Sequence, residues 1–233
     1  VGNVGVQIHH IDPISKGDIV WTVNIQDVAA IGRLFLTGKV DLKKVVALAG
    51  SEVEKPQYYR VISGAPISSI VAGQIKKQAE GDSVRIISGN VLTGKKVAED
   101  GFISVSANQI TIIPEGDKYE FMGWAMPRFH RFSVSGSYFS WLFPKKSYNL
   151  DTNTNGEERP FVVTGLYEKY LPMDVYVSYL LKACLTKDLD KMENLGLYEV
   201  LPEDLALCEF VDPSKINMQQ VLRDGINLMI KES

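Results

Sequence analysis

Arg60-Val-Ile-Ser-Gly64-Ala-Pro-Ile is echoed 25 residues later as Arg85-Ile-Ile-Ser-Gly89-Asn-Val-Leu. Each copy is a β-branched run ending in Ser-Gly, where glycine supplies the positive φ of a tight turn. Two such units so close together commit this part of the chain to a sheet. Ile67-Ser-Ser-Ile70-Val71, between the copies, suits one short helix. Val45-Val-Ala-Leu-Ala49 and residues 102–106 and 109–113 predict further strands, with Glu115-Gly116-Asp117 as a turn. Over residues 45–115 the expectation is a small mixed sheet embracing one helix, a β-grasp-like arrangement.

The pattern changes on either side. Residues 1–44 read as the end of an α/β unit. Ile19-Val-Trp21-Thr-Val23 is a short β-rich run, and Asn24 suits a helix N-cap with Asp27 in the first turn. Ile25, Val28, Ala29, Gly32 and Phe35 share one helical face, and Gly38 is a stop signal. Residues 116–165 form an irregular, turn-rich β segment dense in aromatics, among them Tyr119, Phe121, Trp124, Phe129, Trp141 and Phe143. That segment ends in the turn Asp151-Thr-Asn-Thr-Asn155-Gly156. Aromatic density without a regular period predicts a segment packed over another surface, in this chain or on a partner.

Residues 166–233 predict a helical bundle with short antiparallel connections. Pro172 suits N1 of a helix whose face carries Met173, Val177, Leu180, Leu181 and Cys184. Leu189, Met192 and Leu195 give a second face that ends at Gly196. A third helix starts at Pro202 and a fourth at Pro213, the last carrying Met218, Val221, Leu222, Gly225, Leu228 and Met229. The fold class is therefore α+β in four segments: 1–44, 45–115, 116–165 and 166–233.

Charge narrows the function classes. A net charge of -3 with dispersed lysine pairs argues against nucleic acid, which wants a basic stripe. Two cysteines 24 positions apart make neither a disulfide framework nor a metal site. No apolar run reaches the ~18–20 residues that cross a bilayer. The opening Val1-Gly-Asn-Val-Gly has no basic n-region or apolar h-region, and predicts a chain that continues N-terminally.

The motif with the most chemistry in it is incomplete. A ferredoxin-type cluster run, C-x₂-C-x₂-C-x₃-C-P, uses thiolate ligands. With Cys208 as third ligand, the other positions fall on Pro202, Leu205 and Asp212, with Pro213 trailing. One thiolate of four cannot hold a cluster, so these positions are vestigial and no metal ligand set is assigned. Asp212 and Pro213 also read as an N-cap and N1 pair. Gly89-Asn-Val-Leu-Thr-Gly94-Lys95-Lys96 approaches a phosphate loop, but Lys96 replaces the Ser/Thr and no helix follows, so a glycine-rich β-turn explains it better. His9 and His10, on an extended segment, would point to opposite faces. No catalytic signature appears, so no catalytic or cofactor-binding residue is assigned.

Several segments together resemble the NqrA family, the A subunits of the Na⁺-translocating NADH:quinone oxidoreductase. They are Trp21-Thr-Val-Asn-Ile-Gln-Asp-Val28, Leu34-Phe-Leu-Thr-Gly38, Val84 through Gly94, Phe121-Met-Gly-Trp-Ala-Met-Pro127, Thr152 through Gly156, and Asp204-Leu-Ala-Leu-Cys208. The resemblance spans the chain and implies the family's C-terminal part. It implies an SLBB (soluble-ligand-binding β-grasp) domain at 45–115. It also implies a helical domain that carries a cluster in relatives such as the flavin subunit of respiratory complex I and RnfC. Asp212 departs from that pattern, where cysteine precedes proline.

The resemblance further implies a peripheral subunit on the cytoplasmic side of the bacterial inner membrane, bound to the other components of the complex and especially the membrane ones. NADH, flavins, iron–sulfur centres, quinone and Na⁺ would be handled elsewhere in the complex, with no cofactor in this chain. Two other readings stay open. The aromatic residues at 119–143 could line part of a quinone site, or the chain could be a free-standing ligand-binding β-grasp module.

Overall fold

The computed structural model describes residues 3–78, 82–118, 120–161 and 165–232. Tyr119, the start at Val1-Gly2 and the side chain of Trp124 lie outside the described residues. Along the chain the first elements are α1 (Val4–Ile11), α2 (Ile25–Thr37), β1 (Lys43–Ala49), β2 (Gln57–Ile62) and α3 (Ser68–Val71). Then come β3 (Val84–Ser88), β4 (Lys95–Val97), β5 (Gln109–Pro114), α4 (Val177–Thr186), α5 (Leu189–Asn194), α6 (Ala206–Val211) and α7 (Met218–Glu232). Two compact units result: residues 23–155, and residues 1–22 together with 156–233.

Residues 23–155 are built on one five-stranded sheet in the order β2-β1-β5-β3-β4. β1 pairs in parallel with β5, and the other neighbours are antiparallel. The period of two puts Val46 and Leu48 of β1, Ile110 and Ile112 of β5 and Ile86 of β3 on one face. That face is closed by Ile67, Ile70 and Val71 from the short helix region, with Val53 and Ile103. Both echoed segments end as predicted in positive-φ glycines, Gly64 at 79° and Gly89 at 112°.

Helix α2 forms where its apolar face predicts it, and Gly38 ends it in the left-handed conformation at φ 67°. Asn24 makes no side-chain cap, however, and none of the helix is buried. Its tie to the sheet is Gln26, whose amide donates to the Val45 carbonyl at 3.0 Å and accepts the Val45 N–H at 2.9 Å. This amide takes the ladder position beside β1 where β5 has not yet begun, for β5 pairs only from Ala47 onward.

Two expected strands do not form. Ile19–Val23 lies outside any ladder with Trp21 88 % exposed, since an extended run without a partner edge gains nothing from its β-branched residues. Residues 102–106 make only an isolated bridge from Phe102 to Pro66, while 109–113 is indeed β5. Residues 4–11, expected within an extended stretch, form helix α1. Gly5 lets that helix lie so close to Asp204 that a Cβ would come within 2.2 Å of its carboxylate.

The second unit has an apolar interior of Leu180, Leu181, Met192, Leu197, Leu205, Met218 and Leu222. The apolar faces expected on α4, α5 and α7 are the buried ones. Starting points shift. Pro172 precedes α4 by five residues, Pro202 opens a 3₁₀ turn that leads into α6, and Pro213 sits in a turn, with α7 beginning at Met218.

Candidate functional site

The four cluster-motif positions take up ordinary structural duties. Pro202 and Leu205 delimit the 3₁₀ turn, Cys208 is in α6, and Asp212 is the residue after it. Asp212 is not the expected N-cap, because no helix begins at Pro213. Its carboxylate instead closes the turn that leads to α7, accepting from Ser214 N–H at 2.9 Å and Ile216 N–H at 3.0 Å. A third bond comes from the Tyr167 hydroxyl at 2.7 Å. Cys208 reaches the same tyrosine from the other side, its thiol 3.6 Å from the Tyr167 carbonyl. Tyr167 and Cys208 are both fully buried.

Burial decides the chemistry of this junction. Desolvation pushes the Cys208 thiol up to about 12 and the Cys184 thiol up to about 11, so both stay protonated and poorly suited to metal or redox work. Desolvation and the hydrogen bond to Asp212 likewise raise the Tyr167 phenol. One protonated thiol, one saturated carboxylate and two residues without donor atoms do not fit an iron–sulfur cluster. Among the described residues, no group of three His, Cys, Asp or Glu is arranged to hold a metal ion. Tyr167 is the residue that sequence reasoning missed. Its signal is a second echo, Gly165-Leu-Tyr-Glu against Gly196-Leu-Tyr-Glu, in which each glycine has positive φ and a 3₁₀ turn follows.

In residues 23–155 the densest polar cluster surrounds Glu115, at the end of β5. Arg85 of β3 binds it through Nε and Nη2, Lys96 of β4 donates at 2.8 Å and Thr152 at 2.9 Å. The Arg85 hydrogen bond foremost holds the Glu115 carboxyl down at about 2, against the desolvation that opposes it. Thr152 also accepts from Gly116 N–H at 2.9 Å, where a Cβ on Gly116 would strike the Asn153 backbone at 2.2 Å. Glu115 therefore fastens the 151–155 turn to the sheet, and these donors all come from its own unit.

The near-phosphate loop behaves as a turn. Asn90 Oδ1 accepts the Leu92 and Thr93 N–H groups at 2.8 and 2.9 Å, and the chain enters β4 rather than a helix. His9 and His10 stand on helix α1, not on an extended run. His10 lies 2.9 Å from the Pro172 carbonyl, and His9 2.8 Å from the Glu199 carboxylate without hydrogen-bond alignment.

The aromatic segment differs from all of these. Among its described residues the regular structure is two 3₁₀ turns, Gly123–Ala125 and Phe139–Leu142. Phe129 packs on Phe139 with ring centres 5.7 Å apart, and Phe132 on Tyr148 at 5.6 Å. A cavity of about 570 Å³ lies among His130, Leu142, Phe143, Pro144, Lys145 and Lys146. Its floor is apolar and its polar groups are cationic or imidazole, with the Lys146 amine against the His130 ring.

The family model described as the NqrA second alpha/beta domain matches residues 1–40, and the one described as the NQRA C-terminal domain matches residues 45–99. The A subunit of the Na(+)-translocating NADH-quinone reductase from Hahella chejuensis is 41% identical over 232 residues, 99% of this chain and 51% of the relative. Its counterpart from Alcanivorax borkumensis is 40% identical (99% and 51% covered), and that from Rhodopirellula baltica 38% (99% and 50%). The chain thus spans about half the length of the curated relatives it matches. Over 99% of its length the chain is thus similar to the A subunits of Na(+)-translocating NADH-quinone reductases.

Proposed function

We propose that this chain is a non-catalytic, partner-binding portion of the NqrA component in a sodium-translocating NADH:quinone reductase. The observation that carries the reading is the identity of about 40% over 99% of the chain to proteins of that name. The site chemistry supports it, because the thiols are buried and protonated and the charged clusters are satisfied internally. NADH, flavins, iron–sulfur centres, quinone and Na⁺ are then handled by other subunits. The chain sits at the cytoplasmic face of the membrane, held chiefly by membrane subunits. No helix of the described residues is long and apolar enough to cross a bilayer.

Within that reading, residues 45–115 are a β-grasp domain of SLBB type, supported by a mixed sheet with β1 and β5 parallel at its middle. Residues 1–44 are the end of an α/β domain, 116–165 an aromatic, turn-rich β segment, and 166–233 a bundle of ferredoxin-like descent without its cluster. Pro202, Leu205, Cys208 and Asp212 mark where that cluster sat. The test is cofactor content. The full-length protein, purified alone, should carry neither flavin nor acid-labile sulfide, and stoichiometric amounts of either would refute the reading.

One observation favours a second reading, in which the chain contributes to a quinone site: the apolar cavity beside His130 and Phe143. A quinone analogue should then quench Trp141, adjacent to the cavity, saturably, and a linear response would exclude it. A free-standing ligand-binding module would instead be recovered from cells as a monomer apart from membranes.

A further inference from the structure

Residues 121–150 contain Arg128, Arg131, Lys145 and Lys146 and no Asp or Glu. The rest of the chain then holds 21 basic against 28 acidic residues, so this one stretch is positive on an acidic protein. Of the two acids that border it, Glu120 is already bound by both arginines, and Asp151 accepts the Asn153 N–H of its own turn at 3.0 Å. The same stretch exposes large apolar groups: Phe121 at 90 %, Trp141 at 60 %, Phe143 at 51 % and Leu142 at 50 %. Aromatic rings beside lysines, in a stretch without an acid of its own, suit the headgroup zone of a bilayer. There the rings sit at the apolar boundary and the long cationic stems reach the phosphates.

We propose that residues 121–150 dock on an anionic phospholipid surface, with Trp141, Leu142 and Phe143 at headgroup depth and Lys145 and Lys146 on lipid phosphates. The irregular backbone sets that depth, since unpaired N–H and C=O groups cannot enter the hydrocarbon core. The cavity matches the same ligand: apolar at Leu142, Phe143 and Pro144, and rimmed by Lys145, Lys146 and His130. A protein partner fits less well, because the cores of protein interfaces are depleted in lysine. The docking stands on the surface of this segment and needs no other protein.

The test is flotation of the protein on vesicles of phosphatidylcholine, alone or with phosphatidylglycerol at about 30 mol%, at low and high salt. Anionic vesicles should bind it at least about tenfold better at low salt, and salt near 0.5 M should release it. The pair Lys145→Gln/Lys146→Gln should weaken binding about 30-fold, at roughly 1 kcal/mol per lysine. The pair Lys76→Gln/Lys77→Gln, with the same charge change elsewhere, should leave it intact. Brominated acyl chains should quench Trp141, and Trp141→Phe should remove that component. Equal binding to neutral and anionic vesicles, no flotation at low salt, or an unaffected Lys145/Lys146 pair would each overturn the proposal. Flotation only on native membranes that contain the other subunits would assign the patch to a protein and overturn it as well. Because the vesicles hold no protein, these outcomes are independent of whether the chain assembles into the reductase.

Discussion

In the helical unit Leu180, Leu181, Met192, Leu205, Met218 and Leu222 are sealed from water, whereas in residues 121–150 Trp141, Leu142 and Phe143 are half exposed or more. Polar groups divide the same way. The buried Asp212 carboxylate is saturated by three donors of its own unit, while Lys145 and Lys146 stand at the mouth of an open cavity. One region spends its apolar residues on folding and the other holds them outward. Substitutions should separate the two cleanly, lowering stability in the first and association in the second.

Asp212→Ala should do the most damage. It strands the Tyr167 hydroxyl and the Ser214 and Ile216 N–H groups in the interior, at a cost of about 4 kcal/mol in denaturant unfolding. Asp212→Asn keeps an acceptor and should cost about half as much. Next is Gly225→Ala in α7, whose new Cβ would lie 2.6 Å from Cys184 Sγ and 3.3 Å from Met192 Sδ. Overpacking of that kind costs about 2 kcal/mol and should lower the unfolding midpoint without changing association.

Glu115→Gln probes the sheet unit and has a pH signature. The Arg85 bond, opposed by desolvation and aided by Lys96 and Thr152, holds the carboxyl at about 2 against an ordinary 4.5. Its folded value is depressed, so its stabilising contribution is complete above 4.5 and fades as pH falls through about 2. Wild type should exceed Glu115→Gln by about 1.5 kcal/mol near neutrality, and the gap should narrow in that acid window. Smallest of all, Trp141→Ala and Phe143→Ala should shift stability by less than about 0.5 kcal/mol, since both side chains are exposed. A loss of about 2 kcal/mol or more at either would erase the contrast between the regions.

What can be read from the sequence follows how local each cause is. Helix α2 announces itself through its own face and Gly38, and the echoed strands through β-branched runs closed by Gly64 and Gly89. The buried faces of α4, α5 and α7 follow from period alone. Helix α1 is not legible, because Val4-Gly-Val-Gln-Ile-His-His-Ile11 has β-like composition. It is held by tertiary contacts instead, among them the close approach of Gly5 to Asp204. The Ile19–Val23 run has strand composition, yet no edge to pair with. At the motif, spacing alone locates Cys208 and Asp212 on adjoining elements. It cannot show that Tyr167, 45 residues before Asp212, completes the junction, since nothing in that separation is periodic.

The central claim is that the helical unit supplies stability while the outward residues of 121–150 supply docking on an anionic membrane surface. The most direct measurement is flotation on vesicles that contain phosphatidylglycerol, comparing wild type, Gly225→Ala and the pair Trp141→Ala/Lys145→Gln, with denaturant unfolding of each in parallel. Wild type should float with the anionic vesicles. Gly225→Ala should do so in proportion to the folded protein that remains, and the surface pair should remain fully folded yet float several-fold less. Recovery of wild type wholly apart from the vesicles, or flotation of the surface pair at the wild-type level, would contradict the account.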